Sequence, residues 1–154
     1  MRVLMVYDTV SDAKVTGQVA ETIVAAMREA SMQVEAYLTE DADKASIKDF
    51  DCLVVGAPTM AWRPSKRMKA YLTGLAANDH TGKKAAAFDT QIRSSVSGNA
   101  TKHMERSLTA MGFKIVAPAL IAYVESKDHA YRLKNGEMEK ARNWGKELAR
   151  VLTK

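Results

Sequence analysis

Leu53-Val54-Val55-Gly56-Ala57-Pro58-Thr59-Met60-Ala61-Trp62-Arg63-Pro64-Ser65 is the stretch on which the reading of this chain turns. Its apolar run is too short for a helix and stops at Gly-Ala-Pro-Thr, while Pro64-Ser65 opens a new element with helix-start chemistry. The segment reads as a buried strand over Cys52 to Gly56, a loop over Ala57 to Pro64, and a helix over Ser65 to Leu75 with Met68, Leu72 and Leu75 on one face. Trp62 stands in the loop. A loop-tip Trp packs against neighbours more often than it offers a platform to a ligand, so its role depends on what other strand ends bring beside it.

Working outward, strand and helix alternate. Arg2 to Tyr7 is an apolar strand, and Thr16 to Ala30 carries Val19, Ile23 and Met27 at helical spacing. Met32 to Leu38 alternates Met32, Val34, Ala36 and Leu38, the half-buried pattern of a strand near a sheet edge. A polar connection with a short helix around Lys44 to Lys48 leads to the opening segment. Beyond it, Lys84 to Phe88 is a fourth strand, and Asn99 to Met111 a helix closed by Gly112. Phe113 to Val124 is a fifth strand; Pro118 cannot donate to a ladder, which places that strand at an edge or gives it a bulge there. Glu137 to Leu152 is an amphipathic helix on Ala141, Trp144, Leu148 and Val151.

A chain of 154 residues, 47% hydrophobic and 27% charged, fits a single domain over residues 1–154. Its apolar runs fall far short of the roughly 20 residues of a membrane helix. Asp8, Ser11 and Asp12 interrupt the first run before a signal peptide could form, so a cytoplasmic protein is expected. Cys52 is the one cysteine, read as a packed thiol, and His80, His103 and His129 are too scattered for a metal site. The net charge of +5 is spread over helix surfaces with acids interleaved, which argues against nucleic acid as the partner.

Strands alternating with crossover helices imply an α/β three-layer sandwich around a mainly parallel sheet of five strands. Ligands of such sheets bind beyond the carboxyl ends of the strands, where strand order reverses. Three loops meet there: Asp8 to Val15, Ala57 to Pro64, and Asp89 to Gly98. The first presents Thr9, Ser11, Lys14 and Thr16 ahead of a helix, suited to a phosphate, although Ser11 or Asp12 could equally serve as a simple cap. The second offers Thr59, Met60 and Trp62 to flank a flat ring. The third offers Asp89, Thr90, Gln91, Ser94 and Ser95 to its polar edge. Together they suit a phosphorylated aromatic cofactor.

On Val6-Tyr7-Asp8-Thr9-Val10-Ser11, Asp51 to Ser65, Ala87-Phe88-Asp89-Thr90, Gly136-Glu137-Met138-Glu139 and Trp144-Gly145-Lys146-Glu147-Leu148, the sequence resembles the flavodoxin family over nearly its whole length. The resemblance implies strand order 2-1-3-4-5, non-covalent FMN and electron transfer between redox partner proteins. It would put the phosphate on Thr9, Val10, Ser11, Lys14 and Thr16, the ring edge on Pro58, Thr59, Met60 and Ala61 and on Asp89, Thr90, Gln91 and Arg93, and one ring face against Trp62. No catalytic residue is implied, because the cofactor carries the chemistry.

The sequence departs from the family in three places. The usual Gly-Asn-Thr of the phosphate loop is replaced by Asp12-Ala13-Lys14 after Ser11; the third loop lacks the stacking tyrosine; and Arg63, Lys66, Arg67 and Arg93 surround a site that is usually acidic. These cations favour an acidic docking partner, with no nucleic-acid or membrane partner and a monomer or weak dimer expected. Two rivals stay open: a flavin-dependent reductase of quinone-like acceptors, and a flavodoxin-like protein-binding module that has lost FMN. A phosphoacceptor receiver domain would need an aspartate where the third strand ends in Gly56-Ala57.

Overall fold

A computed structural model describes residues 1–9, 14–60, 63–92, 99–128 and 130–154. In chain order it contains β1 (Arg2–Tyr7), α1 (Val15–Glu29), β2 (Gln33–Leu38), two 3-10 turns (Thr39–Lys44 and Ile47–Asp49), β3 (Cys52–Met60), β4 (Arg63–Pro64) and α2 (Lys66–Leu75). Then follow β5 (Lys84–Ile92), α3 (Ala100–Ala110), β6 (Lys114–Ile115), β7 (Leu120–Lys127), β8 (Ala130–Leu133) and α4 (Glu137–Leu152). No helix among the described residues is long and apolar enough to cross a membrane.

The sheet runs β2-β1-β3-β5-β7-β8, and its first five strands pair in parallel. Those five keep the expected order, but the expectation of a five-stranded parallel sheet needs correction: the described residues form eight strands. Strand β4 folds back antiparallel on β3, β6 pairs with the start of β5, and β8 adds an antiparallel strand outside β7. Pro118 explains one difference. The single strand expected over Phe113 to Val124 is broken around it, so that β6 pairs with Lys84 and Ala85 while β7 pairs with Phe88 to Ile92. The break leaves the Pro118 carbonyl to accept the Trp144 indole N–H at 2.8 Å. The fifth long strand is therefore interior, with β8 outside it.

Alternation along the strands builds two cores. Val3, Met5, Val54, Ala86 and Phe88 pack with Val19, Ile23 and Met27 of α1 and Ala141 and Leu148 of α4. On the opposite face, Leu4, Val6, Leu53, Val55, Ala85 and Ala87 pack with Met68 and Leu72 of α2 and Met104 and Leu108 of α3. This is the three-layer arrangement that parallel strands require, since both their faces must be covered. Gly145 lets α4 close on α1: a Cβ there would lie 3.0 Å from both the Ile23 carbonyl oxygen and the Ala26 Cβ.

Strands β3 and β5 run four residues further than expected, to Met60 and Ile92 rather than Gly56 and Phe88. Pairing of Ala57 with Asp89 and Pro58 with Thr90 carries the sheet onward through residues whose polarity resembles a loop. Asp89, Thr90 and Gln91 thus sit on strand backbone, not in a loop. That extension carries these residues to the carboxyl edge of the sheet.

Candidate functional site

The carboxyl ends of β1, β3 and β5 come together between the two helical layers. At the end of β1, the Asp8 N–H donates to Gly56 O at 3.0 Å and continues the ladder to β3. The Asp8 side chain is buried; its Oδ1 pairs with Arg67 Nε at 3.3 Å, and its Oδ2 has no partner among the described residues. The next residue, Thr9, likewise holds a buried hydroxyl with no partner among the described residues. Such orphaned oxygens are uncommon in folded chains and invite a ligand or bound water.

Helix α1 begins at Val15 behind Lys14, whose backbone is left-handed at φ 51° and ψ 44° and whose side chain makes no capping bond. The first turn of α1 holds no acidic residue, so nothing within that turn neutralises the free amides and positive dipole end of the helix. Thr16 is buried, and its hydroxyl lies 2.7 Å from that of Thr90 on β5. Only one of the two hydroxyls donates in this bond, so the other keeps its proton for a further acceptor.

On the other face of β5, Asp89 is fully buried. Its Oδ2 accepts from the Thr59 hydroxyl at 2.9 Å, and Gln91 Nε2 donates to Oδ1 and Oδ2 at 3.2 and 3.1 Å. Thr59 Oγ1 in turn accepts the Ala100 N–H at 3.1 Å, at the start of α3. Burial pushes the Asp89 carboxyl above the usual carboxylate range, and the hydrogen bonds from Gln91 and Thr59 work against that shift. Asparagine at position 99 caps α3, its side chain accepting from Thr101 N at 3.0 Å.

The structure thus brings Thr9, Lys14, Thr16, Pro58, Thr59, Met60, Asp89, Thr90 and Gln91 to the same set of strand ends. Val10, Ser11, Ala61, Trp62 and Arg93 lie outside the described residues, as do Asp12, Ser94 and Ser95. One feature was missed from sequence, the ion pair of Asp8 with Arg67; its only signal is an acid directly after an apolar strand. Arg67 lines a cleft of about 420 Å³ with Asp8, Arg63, Lys66 and Lys69, beside the site.

Nothing among the described residues groups three or more metal-binding side chains. Histidine 80 is spent on a 2.8 Å bond to Leu75 O and on stacking with Phe113. The Cys52 thiol is pushed up to about 12 by burial, which leaves it protonated and inert. The polar groups at the strand ends suit holding a ligand.

No protein-family model matches the sequence, and no curated protein matches it. Solved structures do. Oxidised flavodoxin 1 from Bacillus cereus superposes at a TM-score of 0.80 and 23% identity, over 97% of this chain and 98% of its own. Fusobacterium nucleatum flavodoxin bound to flavin mononucleotide gives a TM-score of 0.72 at 16% identity, over 97% of both chains. Rubredoxin oxygen:oxidoreductase from Desulfovibrio gigas gives 0.77 at 20% identity, over 99% of this chain and 36% of that protein. The chain has the flavodoxin-like fold of short flavodoxins.

Proposed function

We propose that this chain binds FMN without a covalent bond and passes electrons between redox partner proteins. The observation that carries the reading is the buried hydroxyl of Thr9, which has no partner among the described residues and lies beside the open first turn of α1, in a fold shared with a flavodoxin bound to FMN. A phosphate oxygen would give that hydroxyl its acceptor, and helix amides with a nearby Lys14 would balance the charge. The residues present therefore fit the group. Thr9, Val10, Ser11, Lys14 and Thr16 would hold the phosphate. Backbone groups of Pro58 to Ala61 and of Asp89 to Arg93 would meet the edge of the ring, and Trp62 would cover one face.

When bound, FMN supplies the redox chemistry. The chain's own work is positional. The rigid tails of β3 and β5 fix the walls of the site, the Thr16 and Thr90 pair ties α1 to the sheet, and the cations at Arg63, Lys66 and Lys69 set the field through which a partner approaches. That field favours an acidic partner.

A second reading, a flavodoxin-like protein-binding module without cofactor, is favoured by one observation. Asp12-Ala13-Lys14 stands where the family has Gly-Asn-Thr, and a carboxylate facing a phosphate is unfavourable. Titrating the purified protein with FMN decides between them. The carrier reading expects a two-banded visible spectrum and quenched flavin fluorescence on binding. Failure to bind at micromolar protein favours the module.

A further inference from the structure

Asp89 stands at the centre of a chain of bonds that crosses three elements. The Ala100 N–H of α3 donates to Thr59 Oγ1 at 3.1 Å, and the Thr59 hydroxyl donates to Asp89 Oδ2 at 2.9 Å. The direction of the middle bond is fixed, because an ionised carboxylate accepts only. The Thr59 oxygen is thereby left to receive the amide of α3. Gln91 Nε2 donates to both carboxylate oxygens from the same strand. One residue further along β5, Thr90 turns to the other face and bonds Thr16 of α1. The tip of β5 therefore joins β3 and α3 on one side and α1 on the other.

Burying a carboxylate is costly unless hydrogen bonds compensate it, and Asp89 has no ion-pair partner among the described residues in return. A neutral side chain could fill the same space at lower cost. What the charge adds is a stronger, one-way hold on Thr59, since bonds to an ionised acceptor are about twice as strong as neutral ones. Thr59 lies near the carboxyl end of β3, and Ala100 opens α3 beyond the carboxyl end of β5; these are the two sides expected to flank a flat ring.

The geometry points to Asp89 as a positioning residue for the ring site, clamping Thr59 of β3 to the first turn of α3 so that the two walls keep one spacing. The inference rests on the FMN reading above and assigns Asp89 to holding the walls rather than to touching the ring.

The test compares Asp89→Asn, Thr59→Val, their double variant and Thr59→Ser in FMN titrations, and follows amide exchange at Ala100 and Thr101 in the FMN-free protein. Asn would present an amide nitrogen to one of the two donors, and Val would leave the carboxylate and the Ala100 amide without the shared hydroxyl. Each single variant is expected to weaken FMN binding about tenfold and shift the visible band, with faster exchange at both amides. The double variant is expected to bind no more weakly than the worse single, because both break the same unit, and Thr59→Ser to restore binding. Wild-type affinity and spectrum in Asp89→Asn, with only a lowered melting temperature, would reduce the residue to a structural role and overturn the proposal. Should Asp89→Asn fail to fold, Thr59→Val, which keeps the carboxylate, decides. Wild-type protein that takes up no FMN would sink the cofactor reading instead, whereas unchanged Ala100 and Thr101 exchange in the variants would sink the clamp by itself.

Discussion

Gly56 and Phe88 are register partners on β3 and β5, and a Cβ at position 56 would lie 2.0 Å from Phe88 Cζ. The ring occupies the place a side chain would take, with its edge against Trp144 at a centroid distance of 6.4 Å. Gly56→Ala must therefore displace a fully buried ring from its core. It is expected to cost about 3 kcal/mol or more, the upper range for overpacked cores, read as a lowered urea midpoint. Little or no change would mean that Phe88 has room to move. The same pair shows why the end of β3 is misread from sequence. A glycine followed by Ala-Pro-Thr has the composition of a turn, yet here it is the gap that admits a phenylalanine from the neighbouring strand. Asp89 is obscured for a related reason: a buried carboxylate inside a strand is legible only once its donors, Thr59 and Gln91, are known to surround it.

Among elements, long periodic segments are the legible ones. Both β1 over Arg2–Tyr7 and α4 over Glu137–Leu152 coincide with the sequence reading, and the other three helices agree within about a residue or so at each end. The strands β4, β6 and β8, two to four residues each, are too short to carry a period; β4 and β8 form by pairing with the strand just before them, and β6 by pairing with the distant start of β5. Pro118 announces a disturbance, but not that α4 would bind its carbonyl. Trp144→Phe keeps an aromatic edge for Phe88 and removes the 2.8 Å bond to Pro118 O. The expected loss is about 1 kcal/mol, seen as a lower denaturant midpoint with an unchanged slope. A change in slope would mean that the break between β6 and β7 had come loose from α4.

At the scale of the whole molecule, the location of the site follows from topology before any side chain is placed, because ligands gather at the switch point of a parallel sheet. The sequence therefore places Thr9, Thr16, Thr59 and Thr90 near the strand ends, but not the bonds they make, which depend on register between strands far apart in the chain. The net charge of +5 has a consequence at this scale. With Arg63, Lys66 and Lys69 beside the site, reduced FMN-loaded protein is expected to react with ferricyanide more slowly as salt rises, and with a hexaammine cation faster, by roughly severalfold across the range where screening sets in. Arg63→Glu combined with Lys66→Glu should shrink both trends. Salt effects of the same sign for the two oxidants would rule out steering by this surface. The two margins of the sheet, finally, are unequal. One ends in β8, four residues long; the other in β2, six residues long and paired, among the described residues, with β1 alone. Short outer strands resist the addition of foreign strands, so aggregation by edge pairing would have to begin at β2, where Glu35 sets a charge bound by Arg2 against any incoming strand.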